Sequence, residues 1–433
     1  VKNAEEIPAN WYLSDEFVMV DPAGISGMLY HQHRILNDGE ILFLSNFDEN
    51  ENAAGIFRAQ GKDVLYLDLL DGNIYNYPHK QDGELLEVQF DITPHGSMLF
   101  FIPDKEMNFD TYQKPAVIKE PITATGEIKV NREHKNTLVL DYPDIYLNKW
   151  ENNMLFYTAA AKVFQAHGFD ANPWSVSAQF KSNIVDRDTF PEGTGYKARF
   201  HFTVDNGFDL QTPLQLSVER PDVFKVFVND HEVTALDGEW WLDPEFGLYD
   251  ISGLYKQGAN TILLEVSPMS VFAELEPVYI IGDFSLESQS KGWKITGTDK
   301  ELTLGSWAQQ GLPMYSGVVS YTNSFSLDDT GCIVKLSEWF GTVASVSVNG
   351  EKAGIIGWKP YQLDVSNFVQ PGNNKITVNV YGSLKNLLGP HHLRRRVAYR
   401  IRDIYRGGPG GDRLLHDRAQ KIGPRAPGIL RRE

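Results

Sequence analysis

The chain has 433 residues, 42% hydrophobic and 12% aromatic, which suits two to four packed domains rather than one. It holds no apolar run of the 18 or more residues that a membrane-spanning helix needs. The formal charge of −17 divides unevenly: the residues from Leu393 onward carry +8, leaving −25 on the first 392. An acidic body of that kind argues against nucleic acid as a partner, because phosphate contacts need a basic surface.

The opening stretch, VKNAEEIPANWYLSDEF, lacks a start Met and the basic-then-apolar order of a signal peptide. The expectation is a piece of a longer product. Short β-rich runs follow: GEILFLSNF (39–47), DVLYLDLLDGNIYNY (63–77), LLEVQFDITPHGSMLFFIP (85–103) and YKARFHFTVD (196–205). Gly, Asn, Asp and Pro turns separate them, as in β-sandwiches. LLDGNIY places an Asp-Gly step between apolar runs, a hairpin signal. The polar, Pro-bounded segment 105–122 reads as a linker. ENNMLFYTAAAKVFQAHGFD repeats its apolar residues near the helical period and is expected to form one helix stopped by Gly168. A further composition break near 282–295 predicts domains over 1–104, 123–285 and 286–392. The single cysteine, Cys332, cannot form an intramolecular disulfide and precedes a strand-like run, so a buried apolar role is expected.

Two stretches share a skeleton. VFVND, ending at Asp230, matches VSVNG, ending at Gly350; Asp250-Ile-Ser matches Asp364-Val-Ser; Gly258-Ala-Asn260 matches Gly372-Asn-Asn374. Gly follows Asp at the eighth position in both copies, and each copy closes on an alternating strand. Asn before Gly or Asp suits a tight hairpin with positive φ, and Gly supplies a second special corner. These features build a scaffold without requiring catalysis.

The order V-x-V-N-G … D-[IV]-S … G-x-N-x-[IL]-x-V resembles the galactose-binding-like jelly roll of the family 2 glycoside hydrolase sugar-binding domain. The stretches GMLYHQHRILNDGEILFLSN and YGSLKNLLGPHH resemble large bacterial glycosidases of the α-L-rhamnosidase-like, family 106 kind. The resemblance implies an all-β chain. The first domain would be an Ig-like sandwich trailing a catalytic barrel, followed by two galactose-binding-like jelly rolls, the first carrying the inserted helix. It also implies a catalytic barrel upstream of residue 1, since this chain lacks the strand–helix alternation of a (β/α)₈ barrel. The expected function is carbohydrate recognition and support for that barrel. A free-standing carbohydrate-binding or adhesion protein, and a hydrolase with its site between the sandwiches, are the alternatives. The compartment is left open, with export from a bacterium consistent with polysaccharide degradation.

Sugars are recognised by aromatic faces and a few polar groups. The carbohydrate-contact candidates are Trp240 and Trp241, with Asp243 and Glu245 beside them, and Trp339, Trp358 and Tyr361. The competing reading is that these rings cap cores or seal an interface. Glu274, Glu276, Asp283 and Glu338 could supply a catalytic pair, since glycoside hydrolysis uses two carboxylates; surface carboxylates are the default in so acidic a chain. His31 and His33 share one face of a presumed strand. With Arg34 they are candidates for an active-site rim, and two His at this spacing also suit a metal. The adjacent pair His391 and His392 suits one poorly. The loop 169–196 around Trp174 could meet substrate or cross an interface. No cofactor or metal is assigned: a structural calcium would fit the resemblance, but no calcium-loop spacing is present.

Lys outnumbers Arg by 22 to 6 before Leu393, and Arg outnumbers Lys by 11 to 1 after it. A basic binding tail and a disordered extension are two readings of this switch. The switch at one point favours a third: a reading-frame slip after His392. No function is assigned to the tail.

Overall fold

The computed structural model describes residues 28–70, 72–113, 122, 124–176, 178–298, 301–328, 331–337 and 339–388, together with the backbone of 17–23. The N-terminal stretch, Glu338, the His391/His392 pair and the Arg-rich tail lie outside the described residues. The fold is all-β. Strands pair antiparallel except where Tyr196–Val204 meets Trp293–Thr296, and one α-helix, Phe156–Ala166, occurs among the described residues. Each core follows from alternation, which sends every second side chain of a strand inward.

In the first sandwich, strands Phe17–Ala23, Ala53–Gln60, Leu85–Ile92 and Lys80–Asp82 form one sheet. The facing sheet runs Leu29–Ile35, Gly39–Asn46, Ser97–Pro103, Leu65–Leu67 and Ile74–Asn76. Leu42, Leu44, Phe57, Val88, Phe100 and Ile102 are fully buried between them. Part of the expected linker is fastened here: Tyr112 packs on Tyr66 and Tyr77 at ring-centroid distances of 5.0 and 5.1 Å, and the Met107 amide donates to Asp63 at 3.0 Å. Aromatic contact therefore ties residues 105–112 to the sandwich they follow.

The second sandwich opposes two larger sheets. One is ordered Asn136–Leu140, Val278–Gly282, Leu214–Glu219, Asp243–Asp250 and Trp240–Trp241. The other centres on Tyr196–Val204 paired with Gly258–Val266 over nine residues. The helix packs Ala159, Ala160, Val163 and Phe164 into this core. Gly168 follows it at φ +88°, a conformation in which glycine lacks the Cβ penalty.

The third sandwich has a sheet ordered Ala124–Arg132, Val318–Leu327, Gly372–Tyr381, Val343–Val348 and Glu351–Ile356, together with the pair Ile333–Lys335 and Gln362–Asp364. Buried Cys332 belongs to its core.

Strand pairing crosses both boundaries expected from composition. Ala124–Arg132 precedes the second sandwich in sequence yet pairs with Val318–Leu327 of the third. Ser285–Ser288 and Trp293–Thr296, beyond the expected break, pair with each other, and Trp293–Thr296 also pairs, in parallel, with Thr203–Val204 of the second. The second sandwich is thus inserted between the first strand of the third and the rest of it. Composition follows local turns, whereas this arrangement depends on pairing between distant segments.

The two repeated skeletons fold alike, almost atom for atom. Asn229 and Asn349 adopt φ +45° and +52°. The Asn229 amide donates to Asn260 Oδ1 at 2.7 Å, and Asn349 donates to Asn374 at 2.9 Å. Asp250 and Asp364 each accept from the amide of the Ser two residues on, at 2.9 Å. The repeat is a hydrogen-bonded scaffold joining a hairpin to the closing strand.

Candidate functional site

The strongest constellation lies at one end of the second sandwich, where three chain segments meet. Glu219 ends the strand Leu214–Glu219. Glu274 and Glu276 flank the fully buried Leu275, and both line one small cavity with Glu219. Asp243 and Glu245 come from the adjoining hairpin strand and act electrostatically on Glu219. Burial raises the carboxyl pKa values of Glu219 and Glu274. Burial, reinforced by the charges of Glu274 and Glu219, pushes Glu276 up to about 8. Asn172 fixes Glu274 by donating its amide to Oε1.

Beside the carboxylates lies an aromatic cluster, of which Trp241 and Tyr279 pack against the core of the second sandwich. The Trp241 and Tyr279 ring centroids are 5.0 Å apart, and Phe246 lies 5.9 Å from Tyr279. All three rings are half-buried. Burial, followed by the charges of Glu276 and Glu219, raises the Tyr279 hydroxyl pKa. Arg220 is already engaged: it makes bonds of 2.8 and 2.6 Å to Asp222, comes within 3.3 Å of Glu245, and lies over Phe272 at 4.6 Å. A cavity of about 10 Å³ opens among Val218, Glu219, Phe224, Glu274 and Glu276, with room for about one water molecule.

The sequence candidates divide accordingly. Trp241, Asp243, Glu245, Glu274 and Glu276 come together here, while neighbouring Trp240 is 52% exposed. Asp283 is directed away and pairs with Arg132 of the third sandwich at 2.8 Å. Trp174 packs against Phe272 and donates its indole N–H to the Val271 carbonyl at 2.7 Å, bracing the loop that carries the two glutamates. Trp339 and Tyr361 meet edge to face at 5.4 Å against the third core. Trp358 is 51% exposed, next to a point where the first and third sandwiches touch: Thr93 donates to the Lys359 carbonyl at 2.8 Å, and Lys359 donates to the Glu49 carbonyl. The five aromatic candidates therefore do not form one surface.

His31 and His33 lie opposite Leu44 and Leu42 on an edge strand and share that side, with His33 bonded to Glu40 at 2.8 Å. Arg34 alternates to the other side. Among the described residues, no group of three or more His, Cys, Asp or Glu is placed to hold a metal, and no helix is long and apolar enough to cross a membrane.

Sequence reading missed Glu219, Phe246 and Tyr279. Tyr279 was the most legible of them, since it alternates with the buried Val278 and Ile280 along its strand.

No family model matches the chain. A stretch of 220 residues, 47% of this chain, is 27% identical to a provisionally assigned β-glucuronidase of Formosa agariphila and covers 17% of that protein. Among solved structures, a rhamnosidase from Novosphingobium sp. PP1Y superposes at a TM-score of 0.21 and 16% identity, over 61% of this chain and 25% of its own. A β-glucuronidase from Ruminococcus gnavus gives 0.23 and 12%, over 59% and 40%. A family 2 glycosyl hydrolase from Bacteroides cellulosilyticus gives 0.22 and 10%, over 57% and 32%. The sequence match relates the chain to a glycoside hydrolase of which it spans a minor part.

Proposed function

We propose that the chain is a non-catalytic β-sandwich region of a glycoside hydrolase, recognising carbohydrate and supporting a catalytic barrel outside the chain. The observation that carries this reading is the Trp241–Phe246–Tyr279 cluster bordered by Glu219 and Glu276. Half-buried aromatic rings can meet the C–H side of a sugar, and carboxyl groups hydrogen-bond its hydroxyls. The partial match to a β-glucuronidase supports the same class of partner. In this reading the edge strand bearing His31, His33 and Arg34 borders the barrel, and the exposed rings of Tyr30 and Phe47, 4.8 Å apart, mark that margin.

A hydrolytic site in this cluster is the second reading. The pKa of Glu276, raised to about 8, is what a general acid needs. The water-sized cavity weighs against it, because a glycosidic bond must lie between two carboxyl groups. The test pairs aryl-glycoside hydrolysis with binding to a glycan array, both on the full chain. Binding without turnover is the expected result. Turnover that Glu276→Gln abolishes would replace this reading with the hydrolytic one.

A further inference from the structure

We infer that His167 is a pH-sensitive latch on the loop 169–195, closed while its imidazole is neutral and released when the ring takes up a proton. The loop leaves the helix Phe156–Ala166 and returns at the strand Tyr196–Val204. Its regular structure is three single 3₁₀ turns, Pro173–Ser175, Lys181–Asn183 and Val185–Arg187. A loop of this length is uncommon in a packed domain, and without a ladder of backbone bonds it is held by individual ties.

His167 makes the tie at the neck. Its Nδ1 lies 2.7 Å from the Val163 carbonyl oxygen, and the Gly195 amide donates to Nε2 at 3.1 Å. A carbonyl only accepts and a backbone N–H only donates, so the ring proton sits on Nδ1 and Nε2 offers its lone pair. Both bonds together therefore require the neutral ring. A second proton would sit on Nε2 and set two donors against each other across the neck. The ring is half-buried, with its edge toward Phe190 at 6.0 Å, so water can deliver that proton.

The charged side chains of the surrounding elements are engaged elsewhere. Lys162 on the helix pairs with Glu151, and Lys197 on the returning strand pairs with Glu265. In the loop, Arg187 bonds the Gly168 carbonyl and covers the Phe169 ring, Asp188 bonds Ser270 and Val271, and Asp170 and Glu192 are exposed. Among the described residues no carboxylate pairs with the imidazole, so a proton gained there meets no counter-charge. Imidazole changes charge between about pH 5 and 8. The tie is thus present toward pH 8 and lost as pH falls. Deeper ties, from Asn172 to Glu274 and from Trp174 to the Val271 carbonyl, carry no imidazole, so acid frees the neck while the rest of the loop stays seated.

The test is hydrogen exchange of the Gly195 amide, read by NMR on the isotopically labelled full chain between about pH 8 and about pH 5. Expressing it as a protection factor removes the intrinsic pH dependence of exchange. Wild type is expected to lose protection about fivefold toward acid, the worth of one hydrogen bond. The loss should run in step with protonation of His167 Nε2, followed by its nitrogen shift. His167→Gln has no proton to gain and is expected to show equal protection at both ends. Unchanged Gly195 protection while Nε2 protonates would overturn the latch. The same loss in His167→Gln would trace the trigger to another group and overturn it too. If the variant does not fold, the two wild-type titrations decide: coincident steps support the latch, and a Gly195 step away from the ring step contradicts it.

Discussion

The side-chain amide of Asn229 donates to Asn260 Oδ1 at 2.7 Å, and one sandwich later Asn349 makes the same bond to Asn374 at 2.9 Å. Asn260 and Asn374 are nearly fully buried, and each also bonds the corner before its strand. Asn260 donates to the carbonyls of Lys256 and Gly258; Asn374 donates to those of Gln370 and Gly372. Removing such a group leaves buried backbone polar atoms unpaired, at about 1–3 kcal/mol. Asn260→Ala and Asn374→Ala should each lower stability by about that amount in urea unfolding. An effect within experimental error would show the repeat to be dispensable.

The aromatic candidates should separate by phenotype. Trp339 packs on Tyr361 against the third core, so Trp339→Ala should cost about 2 kcal/mol of stability and leave glycan binding intact. Tyr279 packs against the second core, so Tyr279→Ala should lower stability as well as weaken binding, while Tyr279→Phe, which keeps the ring, should retain most of both. Thermal melts and array binding on the same samples distinguish the two effects.

The carboxylate cluster predicts a pH dependence of stability. The pKa of Glu276 rises from 4.5 to about 8 on folding, and those of Glu219 and Glu274 also rise. The unfolded chain therefore releases these protons first. The stability they contribute is complete below about 4.5 and declines as pH climbs toward 8. Glu276→Gln, which mimics the protonated acid, should raise the melting temperature at pH 8 and change it little at pH 4.5. A variant that destabilises more at pH 8 than at pH 4.5 would contradict this sign.

Local rules made some of this legible and left the rest hidden. The Asn229–Asp230 and Asn349–Gly350 corners and the helix could be read because positive φ and the helical period are encoded over a few residues, and Phe156–Ala166 forms where that period runs. Glu274 and Glu276 were visible as carboxylates, but Glu219 reaches them only through the pairing of Leu214–Glu219 with Val278–Gly282. Phe246 meets Tyr279 for the same reason, their strands flanking Leu214–Glu219 on either side. The insertion of the second sandwich was likewise concealed, because the strand Ala124–Arg132 carries no local mark of its distant partner Val318–Leu327.

The central claim is that the chain binds glycan at this face of the second sandwich. Affinity electrophoresis of the full chain in gels cast with soluble polysaccharides tests it most directly, with wild type, Tyr279→Ala and Trp339→Ala run side by side. The account predicts retardation of wild type and Trp339→Ala in at least one polysaccharide, with Tyr279→Ala running as in a blank gel. Identical migration of Tyr279→Ala and wild type in every gel, retarded or not, would contradict it.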